Sequence, residues 1–269
     1  MNKGITLICP TYRNPKYLDI FLKSAVSGKV LDTTVIMISV DGFYEESKDV
    51  LEKYKNQIQI LDLGENRGMQ MAINLAIYQS NTDRVYIVND DNIMPKNWDL
   101  DINELDCETT VWTIEQIEPT GPGMFNFTIH DFGRTYDTFR YDDYLKYAEE
   151  NKSNKETGDG RIFPFLISKK NIMIVNGFDS VIFQSPNVCD WELFLRLELM
   201  GCTFKRTYKS LIYHFCSVST KKNSESESFK QREAIAVNAY KYKWGFPIWN
   251  GENNTKIHPS CPFKPHQLK

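Results

Sequence analysis

Nowhere in the 269 residues do eighteen apolar side chains run together without a charge, so no segment is expected to cross a bilayer as a helix. There is also no excess of one sign. Lys and Arg number 32 against 35 Asp and Glu, a formal net charge of −3, which leaves no polycationic surface for gripping nucleic acid through its phosphates. The opening residues lack the basic stretch, apolar core and small-residue cleavage site of a secretory leader. The six cysteines (Cys9, Cys107, Cys189, Cys202, Cys216, Cys261) are scattered, several of them inside apolar runs, and do not have the spacing of a disulfide framework. These absences predict a cytoplasmic protein with reduced thiols. Gly-Lys-Ser/Thr loops are missing too, and no glycine-rich turn follows the first apolar run, which disfavours P-loop ATPases and NAD enzymes. What remains is an ordinary globular composition, 41% hydrophobic and 25% charged, in a chain long enough for one large α/β domain with or without an appendage.

Periodicity gives the organisation. Ile5 to Cys9 is a short apolar run followed by Tyr17, Leu18, Phe21, Leu22 and Ala25 at helical spacing, which predicts strand then helix. Thr34 to Val40 predicts a second strand, Glu45 to Tyr54 a polar helix and Ile58 to Leu63 a third strand. Met69, Ala72, Ile73, Ala76 and Ile77 share one helix face, and Arg84 to Asn89 is the fourth strand. This alternation implies right-handed crossovers and a central, mostly parallel sheet with helices on both faces, a Rossmann-like α/β fold. Residues 150–160 combine charge, Gly and Ser without apolar periodicity and read as a flexible surface loop, with a lid as the competing reading, and Ser217 to Ser228 as a polar linker or flap. Phe229 to Trp244 predicts a closing helix on Ala234, Val237 and Tyr240, and the tail with Pro247, Pro259, Pro262 and Pro265 is expected to be extended. The expected division is one catalytic domain over 1–223, with halves 1–103 and 104–223, then a helix and tail over 224–269.

In such a sheet, ligands bind beyond the carboxyl ends of the strands, where loops converge and helix N-termini point. Four loops meet that condition: Pro10-Thr11-Tyr12-Arg13-Asn14, Asp41-Gly42, Gly64 to Gly68, and Asp90-Asp91-Asn92. Two adjacent carboxylates at the end of a buried strand repel one another, and desolvation adds to the cost unless a cation or several donors compensate. A divalent ion is the economical explanation, and oxygen ligands favour Mg²⁺ or Mn²⁺ over zinc. The competing explanation is that Asp90 and Asp91 cap the turn before Pro95.

These loops, in this order, resemble those of the inverting, non-processive nucleotide-sugar glycosyltransferases of the GT-A fold, family 2 type. The matching pieces are Pro10 to Asn14 with Leu18, Val40-Asp41-Gly42, Glu65-Asn66-Arg67-Gly68 with Ala72 and Asn74, and Asn89 to Asn92. Further on come Asn176-Gly177-Phe178-Asp179, Cys189 to Leu193 with Arg196, Tyr213-His214, and Lys243-Trp244-Gly245. The resemblance implies that Pro10, Thr11, Tyr12, Arg13 and Asp41 hold the nucleoside and that Asn66 and Arg67 approach base or phosphate. It places Asp90 on the ribose or beside the metal without touching it, and Asp91 and His214 on a Mn²⁺ or Mg²⁺ that bridges the donor diphosphate. A UDP-sugar is the default donor, with GDP or dTDP sugars as alternatives. The family's acidic motif is often Asp-X-Asp, whereas this chain offers Asn89-Asp90-Asp91, which leaves open which carboxylate touches the metal.

The resemblance also makes Asp190 the general base for the acceptor hydroxyl, although Cys189 stands where the family has Glu, and it puts Trp191 and Glu192 on the acceptor side. Read locally, Asp190 is also a favoured N-cap for the helix that follows, and a lone His ending a strand, such as His214, is also compatible with a structural role. His258, Cys261 and His266 fit no standard zinc spacing. The acceptor expected is a carbohydrate, a glycoconjugate or another hydroxyl compound, and nucleic acid is not indicated by charge. Two rivals remain. A sugar-phosphate nucleotidyltransferase is opposed by Pro10-Thr11-Tyr12 after the first strand. A catalytically degenerate sugar-nucleotide- or carbohydrate-binding protein is suggested by Asn89 and Cys189 and opposed by Asp91 and Asp190.

Overall fold

The computed structural model describes residues 2–120, 127–216, 226–248 and 260–263. Its first half follows the expected alternation: β1 (Asn2–Thr11), α1 (Pro15–Gly28), β2 (Thr34–Val40), α2 (Tyr44–Tyr54), β3 (Gln59–Asp62), α3 (Met69–Gln79) and β4 (Thr82–Ile87). The second half contributes β5 (Asn92–Ile93), α4 (Trp98–Asp101), β6 (Thr110–Glu118), β7 (Thr128–Ile129), α5 (Tyr141–Asn151), β8 (Glu156–Thr157), β9 (Phe165–Ser168), α6 (Lys169–Ile174), α7 (Cys189–Met200), β10 (Thr203–His214) and α8 (Glu227–Trp244).

All the strands join one sheet in the order β3-β2-β1-β4-β9-β6-β10-β5, with β7 beside β6 and β8 beside β10. The pairs from β3 through β4 are parallel, as is β6 with β10, while β9 runs antiparallel to both β4 and β6. The two faces of the parallel half can be read from alternation along each strand. Leu7, Ile36, Ile38 and Tyr86 point to the side covered by Leu18, Phe21, Leu22 and Ala25 of α1. Ile8, Met37, Val85 and Ile87 point to the other side, where Ile73, Ala76 and Ile77 of α3 cover them together with Leu193, Phe194 and Leu197 of α7. A sheet covered on both faces needs this near-continuous apolar content, and that is why the alternation was visible in the sequence.

Two expectations change. The stretch 150–160 lies at the surface, as the plain-loop reading has it, but it is not free, and it is not the alternative lid. β8 pairs antiparallel with Arg206 and Thr207, the Ser153 N–H donates to the Tyr208 carbonyl at 2.9 Å, and Asp159 meets the Arg206 guanidinium at 2.9 Å, so the segment is tied along the flank of β10. The closing helix does form, but Ala234 faces solvent and it is Phe229, Ala236 and Tyr240 that are buried, the latter two in the α7 side of the core. The expected flap lies mostly outside the described residues, as do His258, His266 and the boundary at 223/224.

Candidate active site

The acidic tip forms where β4 leaves the sheet. The turn there is closed by Asn92, whose Oδ1 accepts the Asn89 N–H at 2.9 Å and whose N–H reaches the Asn89 carbonyl at 3.2 Å. The aspartates are therefore not needed to cap it. Both point inward, Asp90 9% and Asp91 5% exposed. Asp90 accepts the Thr11 hydroxyl at 2.8 Å and the Asn14 amide at 3.1 Å, which ties the loop after β1 to the loop after β4. Burial, with the neighbouring Asp91 charge adding, pushes the Asp90 carboxyl up to about 7 against the opposing pull of those two hydrogen bonds. Thr11 was expected on the nucleoside, but its hydroxyl is engaged by Asp90. Asn14 lay in a recognised segment without an assigned role.

His214 reaches the tip because two strand registers converge on it. β10 runs parallel to β6 with Tyr213 beside Ile117, so His214 and Glu118 follow at adjacent strand ends. The antiparallel pairing of β10 with β5 sets His214 opposite Asn92, the residue after Asp91. The His214 Nδ1 lies 3.0 Å from a Glu118 oxygen and its Nε2 3.6 Å from Asp91 Oδ1. Glu118, His214 and Cys216 offer ligand atoms all within 4.8 Å of one another. Carboxylate oxygens and an imidazole nitrogen crowded into a mostly buried tip suit a divalent ion of the Mn²⁺ type, which would relieve the repulsion that burial imposes on Asp90 and Asp91. Sequence reasoning missed Glu118. It ends a strand that is buried at every residue, and only the β6–β10 register reveals its neighbour.

The loops expected to hold the nucleotide lie at the tips of β1, β2 and β3. Asp41 is buried, and its carboxylate accepts the backbone N–H groups of Arg67 (2.6 Å) and Gly68 (3.1 Å). Burial raises its carboxyl, and those two bonds oppose the rise. Asp41 thus fixes the loop carrying Asn66 and Arg67, both exposed, with Arg67 paired to Glu65 at 2.8 Å. Gly42 follows at φ +78°, where any Cβ would meet the Asn66 backbone nitrogen at 2.6 Å, so only glycine lets the two loops close. Pro10 is buried in the strand end. Beyond it, Tyr12 (37% exposed) and Phe43 (48%) project at the mouth, edge to face at 5.6 Å, with the Arg13 guanidinium 4.5 Å over the Phe43 ring. Arg13 and Phe43 both hold left-handed backbone, at φ 51° and 56°. Strain of about 1–3 kcal/mol at such residues is retained where a site demands it. Phe43 was not foreseen.

Asp190 sits in the first turn of α7, half-buried. It is not the N-cap: that position is Val188, which makes no side-chain cap, and Asp190 Oδ1 accepts the Trp191 N–H at 2.9 Å. Burial pushes its carboxyl up to about 7, the Trp191 N–H opposing, a value suited to accepting a proton near neutrality. Cys189 is buried, its thiol donating to the Pro186 carbonyl at 3.7 Å, with the Gln70 side chain from the first turn of α3 beside it. That is the turn Asp41 fixes through Gly68, so Asp190 stands at the same end of the sheet as the loops of Asp41, Asn66 and Arg67.

The two acceptor residues are placed otherwise than expected. Trp191 is 9% exposed and packs in the core cluster with Ile73 and Ala76. Glu192 is fully buried, held by Arg196 at 2.6 Å and Lys243 at 2.8 Å. Both act as the framework of α7. Asn74 of α3 brackets Phe178, accepting its N–H and donating to its carbonyl, each at 2.8 Å. A Cβ on Gly177 would strike the Asn74 amide. A cavity of about 570 Å³ opens beside this junction, with Leu75, Tyr78, Val181, Arg196 and Lys243 in its wall. Neither the acidic tip nor Asp190 lines it.

A mostly parallel sheet with an inward-facing acidic pair beyond one strand and nucleotide-type loops beyond its neighbours is the GT-A architecture of glycosyltransferases. Solved structures agree on the fold. The chain is similar to TarS residues 1–349 from S. aureus (TM-score 0.55, 15% identity, 90% of this chain and 72% of that one). It is also similar to the mannosyltransferase PcManGT from Pyrobaculum calidifontis, solved with GDP-Man and Mn²⁺ (0.59, 13%, 89% and 63%), and to GalNAc-T7 with UDP, GalNAc and Mn²⁺ (0.55, 10%, 78% and 43%). The sequence model described as glycosyl transferase family 2 matches residues 6–146, just over half of the chain, and the chain belongs to that family. No curated protein sequence matches it.

Proposed function

We propose that the chain transfers a sugar from a nucleoside-diphosphate sugar to an acceptor hydroxyl in one inverting displacement, with Asp91 and His214 holding a divalent ion and Asp190 acting as base. The observation that carries this reading is the buried acidic tip with His214 turned onto it, which explains why two carboxylates are kept out of water side by side. In the reaction, the acceptor oxygen forms a bond to the anomeric carbon while the bond to the diphosphate oxygen breaks on the opposite face. Asp190 takes the acceptor proton, a contribution of about 10²- to 10⁴-fold. Asp91 and His214 would hold the ion where its charge could offset that growing on the departing diphosphate. Asp90 holds the β1 and β4 loops together through Thr11 and Asn14, and stands next to the metal carboxylate. Tyr12, Arg13 and Phe43 offer aromatic faces and a cation to the base. UDP is the proposed nucleotide; TarS is also known in complex with UDP-GlcNAc.

No helix among the described residues is long and apolar enough to cross a membrane. All six cysteines are outside disulfides, which supports a reducing, cytoplasmic setting. The test is a thermal-shift screen of UDP, GDP and dTDP with and without Mn²⁺. Ligand that binds only the native state raises apparent stability, so one nucleotide stabilising only with the ion present is the expected result. Equal behaviour with and without the ion overturns the metal assignment. Asp190→Asn that keeps donor binding and loses transfer supports an enzyme over a degenerate binding protein.

A further inference from the structure

His214 lies between two carboxylates, one at each ring nitrogen, and the two are not equivalent. Glu118 Oε1 is 3.0 Å from Nδ1, a hydrogen-bond distance, whereas Asp91 Oδ1 is 3.6 Å from Nε2. The shorter contact is the one a ring N–H makes, and the longer one leaves room for both groups to turn their lone pairs onto a shared ion. The backbone fixes both relations. The Phe215 N–H donates to the Asp91 carbonyl at 3.2 Å, and the parallel register that ends Tyr213 beside Ile117 sets Glu118 next to His214. Histidines that bind metals usually donate the second ring N–H to a carboxylate, which fixes the tautomer and raises the basicity of the ligating nitrogen.

We infer that Glu118 is the positioning residue of the cation site: by accepting the His214 Nδ1–H it presents the Nε2 lone pair towards Asp91. This rests on the reading that Asp91 and His214 hold the ion, and it adds a residue that neither the family resemblance nor the sequence assigned. Cys216 defines the competing geometry. Its thiol also approaches Glu118 and His214, so an ion at the other ring nitrogen would take Nδ1, Glu118 and sulfur as ligands and leave Asp91 out. In the inferred arrangement Glu118 touches the ring and not the ion, and sulfur takes no part.

The experiment measures Mn²⁺ affinity by electron paramagnetic resonance in the presence of UDP, and UDP affinity without metal, for the wild type, Glu118→Ala, Glu118→Gln, Asp91→Asn and Cys216→Ser. Co²⁺ spectra of the wild type are recorded alongside. Glu118→Ala is expected to weaken Mn²⁺ binding by about 10- to 100-fold while metal-free UDP binding stays at the wild-type level, which shows that the fold is intact. Glu118→Gln, whose amide oxygen still accepts the Nδ1–H, is expected to lose less, and Cys216→Ser nothing. Wild-type Mn²⁺ affinity in Glu118→Ala overturns the inference alone, provided Asp91→Asn abolishes binding. A sulfur-to-cobalt charge-transfer band that disappears in Cys216→Ser also overturns it, by placing the ion at Nδ1. Failure of the wild type to bind any ion overturns the metal reading, and this inference with it.

Discussion

The Thr11 hydroxyl donates to Asp90 at 2.8 Å across 79 residues of sequence and ties the end of β1 to the acidic tip beyond β4. The acceptor is a buried carboxyl, so the bond has no water to replace it. Removing a donor to a charged acceptor costs about 1.5–3 kcal/mol. Thr11→Val is expected to lower the unfolding free energy by that amount in urea titration at pH 8. Thr11→Ser, which keeps the hydroxyl, is expected to lose less than half as much. Loss of the donor also drives the Asp90 carboxyl further up, because the Thr11 bond is one of the influences that lower it.

Asp190 gives a pH signature with a definite sign. Burial raises its carboxyl to about 7, whereas an unfolded chain ionises it near ~3.9. Between those values the unfolded state has released the proton and the folded state still holds it, so this group's contribution to stability falls as pH rises from about 4 to 7 and is level above. Asn imitates the protonated carboxyl. Asp190→Asn is therefore expected to gain in Tm over the wild type across that window and keep the gain at pH 8, while transfer falls by at least about 10²-fold. In the wild type, kcat/KM is expected to climb through about pH 7. A Tm difference that is flat with pH would contradict a raised Asp190 carboxyl.

The parallel half of the sheet was legible because each of its strands alternates between two covered faces and each helix carries an apolar stripe, and these are local patterns. Asp90 and Asp91 could be found for a similar reason, as adjacent charges at the end of an apolar strand. What could not be read was pairing at a distance. Glu118 becomes a neighbour of His214 only through the β6–β10 register, Asn14 a partner of Asp90 only through β1 lying beside β4, and Phe43 a companion of Tyr12 only because two loop tips meet. Trp191 and Glu192 misled in the opposite way. Their sequence position matches an acceptor motif, but the helical rotation of α7 turns Trp191 into the apolar core and Glu192 onto Lys243.

Phe43 separates binding from stability. It is half-exposed, and its left-handed backbone is a conformation that glycine adopts without the Cβ clash. Phe43→Gly therefore removes a ring and relieves strain together, and its unfolding free energy is expected to stay within about 1 kcal/mol of wild type. If the Tyr12–Arg13–Phe43 cluster holds the base, the same variant weakens UDP binding by about tenfold, or ~1.4 kcal/mol. Isothermal titration with UDP checks this. UDP affinity unchanged in both Phe43→Gly and Tyr12→Ala would remove the cluster from the nucleotide site.

Glu115 and Arg206 form an ion pair at 3.1 Å with each side chain about 1% exposed. Glu115 also accepts the Thr128 N–H and hydroxyl at 2.9 and 2.8 Å. Arg206 extends to Asp159 at 2.9 Å and sits 4.7 Å over the Phe127 ring. This network fastens the 150–160 stretch and β7 to the β6–β10 pair. At the far ends of those same two strands stand Glu118 and His214. Glu115→Ala takes one of two carboxylates from the buried Arg206, which keeps Asp159, and removes the acceptor of the Thr128 donors, so it is expected to cost about 1.5–3 kcal/mol, whereas replacing both partners with apolar side chains of similar volume, Glu115→Leu with Arg206→Met, is expected to cost less. Urea unfolding of the two variants checks the order. Because the network acts through the fold and touches no ligand of the proposed ion, the double variant is expected to retain Mn²⁺ affinity within a few fold. A large loss would mean that the β6–β10 register, and with it the approach of Glu118 to His214, depends on the ion pair itself.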